Sequence, residues 1–257
     1  MFLLDLTLPT ATENVALDEA LLEEAEARPG ASELLRLWEP PSPLVVIGRS
    51  SRPEVEVDLQ HCQRLGIPVV RRTSGGAAII TGPGCLMYAV VLSTETRAEL
   101  KSVDAAHGFV LRRLIEGLKD IAPVAARCGT SDLAMEVASR PAGDAQHTAH
   151  AAAKKFSGNS LRVKRRHLLY HGTLLFDFDL ELISRCLKHP PREPDYRQGR
   201  PHATFVSNLP ATRAQLRAAL RNAWQATEPF EDWPRDRTTA LVSQKYARDE
   251  WNRFGQA

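Results

Sequence analysis

Residues 71–93 read RRTSGGAAIITGPGCLMYAVVLS. The approach through Ile67, Val69 and Val70 predicts a strand that runs into Arg71 and Arg72. A glycine turn, a short strand, a second glycine turn and a longer apolar strand follow. Gly75-Gly76 permits a bend with φ > 0 and leaves backbone N–H groups uncovered by side chains. Two guanidinium groups beside bare amides suit a carboxylate or a phosphate. They equally suit a basic strand end followed by an ordinary Gly-Gly hairpin turn. This stretch alone leaves both readings open.

Outward from it, the chain has the composition of a globular protein. Of its 257 residues 43% are hydrophobic and 25% charged, a balance that supports a packed core. A net charge of +2 argues against a dedicated nucleic-acid surface. The start MFLLDLTLPT has no basic flank, and no apolar run reaches membrane-spanning length, so neither a signal peptide nor a membrane segment is expected. Cys62, Cys85, Cys128 and Cys186 are scattered without metal-ligand spacing, which fits reduced thiols in a cytoplasmic protein.

In chain order, residues 2–8 predict a strand and residues 12–27 a helix with apolar positions at Val15, Ala16, Leu17, Ala20, Leu21 and Leu22. ELLRLWE and PLVVIG read as two strands, placed next to each other by the Pro-Pro-Ser-Pro connection. Asp58 reads as the N-cap of a short helix to Leu65. A helix over 102–118 follows, then loop and strand over 124–138. SRPAGDAQHTAHAAA (139–153) reads as an exposed loop; its His147 and His150 lack a third metal ligand nearby. Strands over 155–163 and 168–178 flank the basic turn 164–167. A helix over 180–187 leads into a Pro- and Arg-rich segment (190–205) without periodicity. Helices over 211–227 and 239–251 complete an α/β (α+β) chain with a mixed central sheet flanked by helices, read as one domain over 1–257.

A second stretch, KKFSGNSLRVKRRHLLYHGTLLFDFDLELI (154–183), joins the first. Arg-Arg-x-Ser-Gly-Gly, Lys-x-Ser-Gly and His-Gly-Thr-Leu-Leu in this order resemble the lipoate–protein ligase A family, part of the biotin/lipoate ligase and octanoyltransferase superfamily. NVALDEALL, LWEP, VVIGRSSRPEVEVD, SDLAM and KYARDEW are similar to its other landmarks, so the likeness spans most of the chain. The resemblance implies a class II aminoacyl-tRNA synthetase/biotin ligase-like catalytic domain. It also implies ATP, with Mg²⁺, activating lipoate or octanoate to an acyl-adenylate. A lysine of a lipoyl-acceptor protein (H-protein or E2-type) then attacks and expels AMP.

Residue by residue, the resemblance makes Lys155 the catalytic lysine, neutralising the α-phosphate and polarising the acyl carbonyl. Without it, Lys154-Lys155 reads as a solvated face. Arg72, Ser74, Gly75, Gly76, Ala77 and Ala78 fall on the nucleotide and acyl-adenylate contacts, with Ser160 approaching through its backbone. Asp132 falls near the adenylate and its Mg²⁺. His171 falls on the acyl pocket, although a core histidine fits the strand as well. Arg162, Lys164, Arg165 and Arg166 offer either an acceptor-binding surface or a solvated hairpin tip.

The chain departs from the pattern in places. Ala77 replaces the family's third glycine, Thr81-Gly82 a His-Asp pair, and Cys85 and Met87 two asparagines. The accessory domain of the longer ligases is not found after KYARDEW, so a separate accessory subunit enters the expectation. Cys128 lies where octanoyltransferases of this fold keep a nucleophile that takes the acyl group from a carrier-protein thioester, and it equally suits a small buried residue. Cys186, in a helix, does not match the cysteine of the other transferase type. A third alternative is a non-catalytic domain that binds lipoyl proteins.

Overall fold

The computed structural model describes residues 1–28, 30, 33–135 and 153–255. The first half runs β1 (Phe2–Asp5), α1 (Ala11–Ala27), β2 (Leu34–Trp38), β3 (Leu44–Ile47), α2 (Pro53–Glu56), α3 (Leu59–Arg64), β4 (Val69–Arg71), β5 (Ile79–Thr81), β6 (Cys85–Ser93) and α4 (Val103–Leu118). The second half runs β7 (Ala125–Cys128), β8 (Asp132–Met135), β9 (Lys154–Val163), β10 (His167–Leu175), α5 (Leu180–Cys186), α6 (His202–Phe205), α7 (Arg213–Trp224), β11 (Glu228–Pro229), α8 (Arg235–Leu241) and α9 (Asp249–Phe254). His147 and His150 lie outside the described residues.

The strands form a mixed sheet of order β11-β1-β2-β6-β10-β9-β8-β7 and a small sheet of order β4-β3-β5. Parallel pairs join β1 to β2 and β11, and β3 to β4; the other pairs are antiparallel. The mixed sheet flanked by helices is thus as expected. All nine residues of β6 and all nine of β10 are buried, which identifies them as central strands covered on both faces. Even-numbered β6 residues such as Leu86 and Tyr88 pack toward α4 and α7. Odd-numbered ones such as Cys85 and Met87 face the opposite side, shared with the small sheet.

Three expectations are corrected. β2 and β3 are not neighbours: β2 sits in the large sheet and β3 is the middle strand of the small one. Pro40, Pro41 and Pro43 supply no ladder N–H and fix φ, so the chain leaves one sheet and enters the other instead of folding back. The Gly75-Gly76 bend is not a hairpin either, because β3 lies between β4 and β5. Finally, the expected helix 239–251 is broken. α8 ends at Leu241, a wide turn over 242–246 closes with Ala247 N–H donating to the Val242 carbonyl (2.9 Å), and α9 begins at Asp249.

α1 positions the site from below. Thr10 and Glu13 form a reciprocal cap at its N-terminus. Every residue from Asn14 to Leu22 is buried, acids included. A helix enclosed all round has no solvent side for Asp18 and Glu19, so both must find partners inside.

Candidate active site

A cavity of about 400 Å³ opens between the large sheet, the small sheet and the segment 187–206. Its inner wall is apolar, with Val15, Trp38, Val46, Ile80, Met87 and Leu175. Toward its polar side it is lined by Gly76, Ala77, Ala78, Asp132, Lys155 and His171. The glycine turn and the Lys-x-Ser-Gly strand therefore meet across one space.

A β-bulge aims the lysine. Along β9, Ser160 shares the cavity face with its cross-strand partner His171, and Asn159 turns to the other face, where Tyr88 donates to its Oδ1 (2.5 Å). Simple alternation from Ser160 would put Lys154 on the cavity face and Lys155 behind it. The register shift against β8, between Leu133 and Ala134, sends Phe156 into the core beside α4 and returns Lys155 to the cavity. Lys155 Nζ then lies 2.8 Å from Asp132 Oδ1, and Tyr196 donates its hydroxyl to Asp132 Oδ2 (2.8 Å). The lysine stem crosses Gly158, where a Cβ would meet Lys155 Cε and Nζ at 3.0 Å. A side chain there would press on the end of the lysine.

The glycine turn is built by Arg72. Its guanidinium is buried, and burial pushes its pKa down to about 10 against the raising charge of Glu56. Nη2 donates to the carbonyls of Gly75 (2.5 Å) and Ala77 (3.0 Å), Nη1 to that of Val46 (3.2 Å), and Nε to Gly75 O (3.0 Å) and Ser74 Oγ (3.1 Å). Ser160 Oγ also donates to the Gly75 carbonyl (2.8 Å), so here its side chain, not only its backbone, meets the turn. With the carbonyls drawn inward, the N–H groups of Gly75, Gly76 and Ala77 have no protein acceptor among the described residues. Ala78 N–H donates to the buried Glu56 carboxylate (2.7 Å), so the run of bare amides is one shorter than expected. Gly76 has φ +87°, and a Cβ there would meet Arg72 Nη2 at 2.8 Å.

Arg71 does not serve the cavity. It faces the opposite way, and its guanidinium donates to six backbone carbonyls, of Gly48, Arg49, Ser51, Trp251, Asn252 and Arg253. The pair of cations expected beside the turn is thus one cation on each side of it.

Ser74 reaches His171 instead of open space. Ser74 Oγ lies 2.6 Å from His171 Nε2, whose Nδ1 lies 2.9 Å from Asp18 Oδ2; Asp18 Oδ1 accepts from Arg36 Nη1 (2.6 Å). In the tautomer that donates from Nδ1, the ring accepts the Ser74 proton at Nε2. This Ser-His-Asp order does not make Ser74 a nucleophile: it is fully buried and does not line the cavity. The relay ties β10 to the glycine turn, and His171 reaches the cavity as expected.

Cys128 ends β7 opposite Asp132, is buried, and does not line the cavity. The ring of Tyr196 packs beside Gly129, where a Cβ would lie 3.6 Å from it, and so stands next to the Cys128 strand end. Cys85 is enclosed and its thiol is pushed up to about 12 by burial, whereas Met87 faces the cavity. Of the basic turn, Lys164 pairs with Glu23 (3.4 Å) and Arg166 with Glu95 (3.7 Å), while Glu26 accepts the N–H groups of Arg166 and His167. Half of the expected acceptor surface is therefore spent on holding the hairpin to α1 and its surroundings.

Sequence reading missed Asp18, Glu56 and Tyr196. The acids in NVALDEALL interrupt an otherwise apolar run, a signal that was available. Tyr196 sits in an aperiodic segment, and its contact with Asp132 spans 64 positions.

The chain matches the family model described as "Lipoyl protein ligase A/B catalytic domain" over residues 10–219. Among curated relatives, Octanoyltransferase LipM of Geobacillus kaustophilus is 26% identical, covering 93% of this chain and 92% of its own. A putative lipoate-protein ligase A of Aeropyrum pernix is 29% identical, covering 85% and 72%. In structure, the chain superposes on a bi-partite lipoate protein ligase of Thermoplasma acidophilum, described with its E2 lipoyl domain, with TM-score 0.81 at 22% identity over 100% and 97% of the two chains. It superposes on a lipoate-protein ligase A bound with ATP with TM-score 0.77 at 23% identity over 99% of each chain. No helix among the described residues is long and apolar enough to cross a membrane. With its three motifs gathered on one cavity and the family match covering most of its length, the chain belongs to the lipoyl protein ligase A/B catalytic domain family, which embraces lipoate ligases and octanoyltransferases.

Proposed function

We propose that this protein, as a single catalytic domain, is a lipoate–protein ligase. It would join lipoate or octanoate, activated by ATP as an acyl-adenylate, to a lysine of a lipoyl-acceptor domain. The observation that carries this reading is the shared cavity: an apolar pocket that is lined at its polar side by Lys155 and by Gly76 and Ala77 of the glycine turn. The pocket suits a fatty acyl chain, and its polar end offers cations and N–H donors to an anion. Lys155 would stabilise the charge that builds on the acyl carbonyl and the α-phosphate as the acceptor amine attacks. Asp132 and Tyr196 would hold that ammonium in place.

The donor set does not fit Mg²⁺ at Asp132. Both carboxylate oxygens are engaged, and no cluster of three metal-ligating side chains occurs among the described residues. No step is assigned to the ion. The bi-partite nature of the Thermoplasma acidophilum ligase supports adding a separate accessory subunit to the proposal.

ATP–pyrophosphate exchange with lipoate or octanoate tests the reading, together with transfer from preformed acyl-adenylate. Lys155→Ala should lower that transfer by about 10²–10³-fold in a folded protein. Retained transfer would refute the assignment of Lys155.

A second reading, octanoyl transfer through Cys128, is favoured by the Geobacillus kaustophilus relative and by Cys85 and Met87 in place of asparagines. Hydroxylamine-sensitive octanoyl label on Cys128, after incubation with octanoyl-carrier protein and no ATP, would select it. Neither exchange, label nor transfer from preformed adenylate would leave a binding protein.

A further inference from the structure

The segment 245–252 touches no part of the cavity, yet it is bonded to the glycine turn on both sides of Arg72. On one side, Arg71 is held through its backbone and its side chain. Asn252 Oδ1 accepts the Arg71 N–H (2.9 Å), and Trp251 Nε1 donates to the Arg71 carbonyl (2.9 Å). The Arg71 guanidinium donates to the carbonyls of Trp251 (2.8 Å), Asn252 (3.1 Å) and Arg253 (2.9 Å). Those carbonyls lie in the last turn of α9, where that of Trp251 also accepts from the Gly255 N–H (2.9 Å), so the guanidinium sits at the negative end of the helix. On the other side, Thr73 Oγ1 donates to Glu19 Oε1 (3.0 Å). The same carboxylate accepts from Lys245 Nζ (2.9 and 2.8 Å) and from the Tyr246 hydroxyl (2.6 Å). Lys245 Nζ also lies 4.1 Å from the Trp251 ring centroid, and Asn252 Nδ2 donates to the Tyr246 carbonyl (2.8 Å). The segment is thus bonded within itself as well as to the turn.

The backbone is adapted to this arrangement. The wide turn over 242–246 interrupts helical winding where Lys245 and Tyr246, adjacent in sequence, both reach one carboxylate. On a regular helix, neighbours point about 100° apart. Local winding changes of this kind recur where a side chain has to be re-aimed for function.

We propose that residues 245–252 are a positioning element of the catalytic cradle, with Lys245 and Asn252 setting the residues on either side of Arg72 and so the presentation of the Gly75–Ala77 amides. This rests on the reading that those amides face the anionic end of an activated acyl group. The element acts from behind the turn, so it bears on binding of the adenylate end and not on the apolar pocket.

Full-length Lys245→Met and Asn252→Ala test it, with Lys245→Arg as the conservative control. Two readouts are taken: native-state amide exchange by mass spectrometry, and the Kd of a hydrolysis-resistant octanoyl-adenylate analogue beside the Kd of free octanoate. In both variants exchange of the hydrogen-bonded amides that frame the turn, Arg49 (to Ser74 O), Arg72 (to Ile47 O) and Ala78 (to Glu56), should rise at least about tenfold while β6 and β10 stay protected. Analogue binding should weaken at least about tenfold and octanoate binding stay within about twofold, with Lys245→Arg near wild type on both counts. Unchanged exchange of the Arg49, Arg72 and Ala78 amides in folded variants would overturn the proposal. So would exchange that rises equally throughout, which marks a general loss of stability. A wild-type protein that fails to bind the analogue would refute the adenylate reading instead, and the exchange data would still decide whether the segment holds the turn.

Discussion

Asp18 shows at residue scale how much of this site rests on buried charge. Its carboxylate lies between Arg36, whose side chain is fully enclosed, and His171. Removing one partner of a buried pair leaves the other uncompensated, at a cost of about 3–5 kcal/mol. Asp18→Ala should therefore lower the unfolding free energy by that order, measured from denaturant midpoints, and free the His171 ring from its fixed tautomer. The motif residues were legible through the family resemblance, and the structure supplies a local reason for two of them: Gly158 lies against the lysine stem and Gly76 against an Arg72 nitrogen. The partners of Asp18 and Tyr196 were not: Arg36 and His171 stand 18 and 153 positions from Asp18, Asp132 stands 64 from Tyr196, and no spacing rule connects them.

Among the elements, the strands and helices of the core follow from alternation and capping, and β6, β10, α1 and α4 stand where apolar patterning places them. What patterning cannot show is where regularity is broken. The β9 bulge and the wide turn at 242–246 both insert a residue into an element; the first turns Lys155 toward the cavity, and the second lets the neighbours Lys245 and Tyr246 share one carboxylate. The latter turn supports a pH test. Burial pushes the Glu19 carboxyl up, but the hydrogen bonds and charge of Lys245, with the hydroxyls of Tyr246 and Thr73, outweigh it and hold the pKa below the ordinary value. Such a carboxylate contributes stability above its unfolded pKa, about 4.3, and loses that contribution as pH falls through the lower native value. Glu19→Gln should lower the melting temperature at pH 7, and the gap to wild type should close as the pH is taken toward 3.

For the whole molecule, two sheets joined at a proline-rich crossing enclose the cavity, and the four cysteines are buried outside its lining. Cys62 and Cys85 are each pushed up to about 12 by burial, and Cys186 is raised for the same reason. Thiolate is the reactive form, so alkylation of these three in the native protein should run at least about tenfold slower than in denaturant. Peptide mapping after a timed pulse of iodoacetamide checks this; rapid native labelling of Cys85 would mean that the central sheet opens. The architecture was legible as a mixed sheet, but its division into two was not. Pro40–Pro43 reads locally as a short connection, and which sheet each strand joins is set by partners elsewhere in the chain, β1 and β6 for β2 and β4 and β5 for β3.

Gly158 has a practical consequence. A methyl placed there would stand 3.0 Å from Lys155 Cε and Nζ, so the end of the lysine would have to shift against Asp132, and Gly158→Ala should keep the apolar pocket and lower turnover. Under the proposed ligase reading, a slowed variant of this kind would retain its acyl group long enough to be isolated. Mass spectrometry of the trapped material would then identify the natural acyl chain.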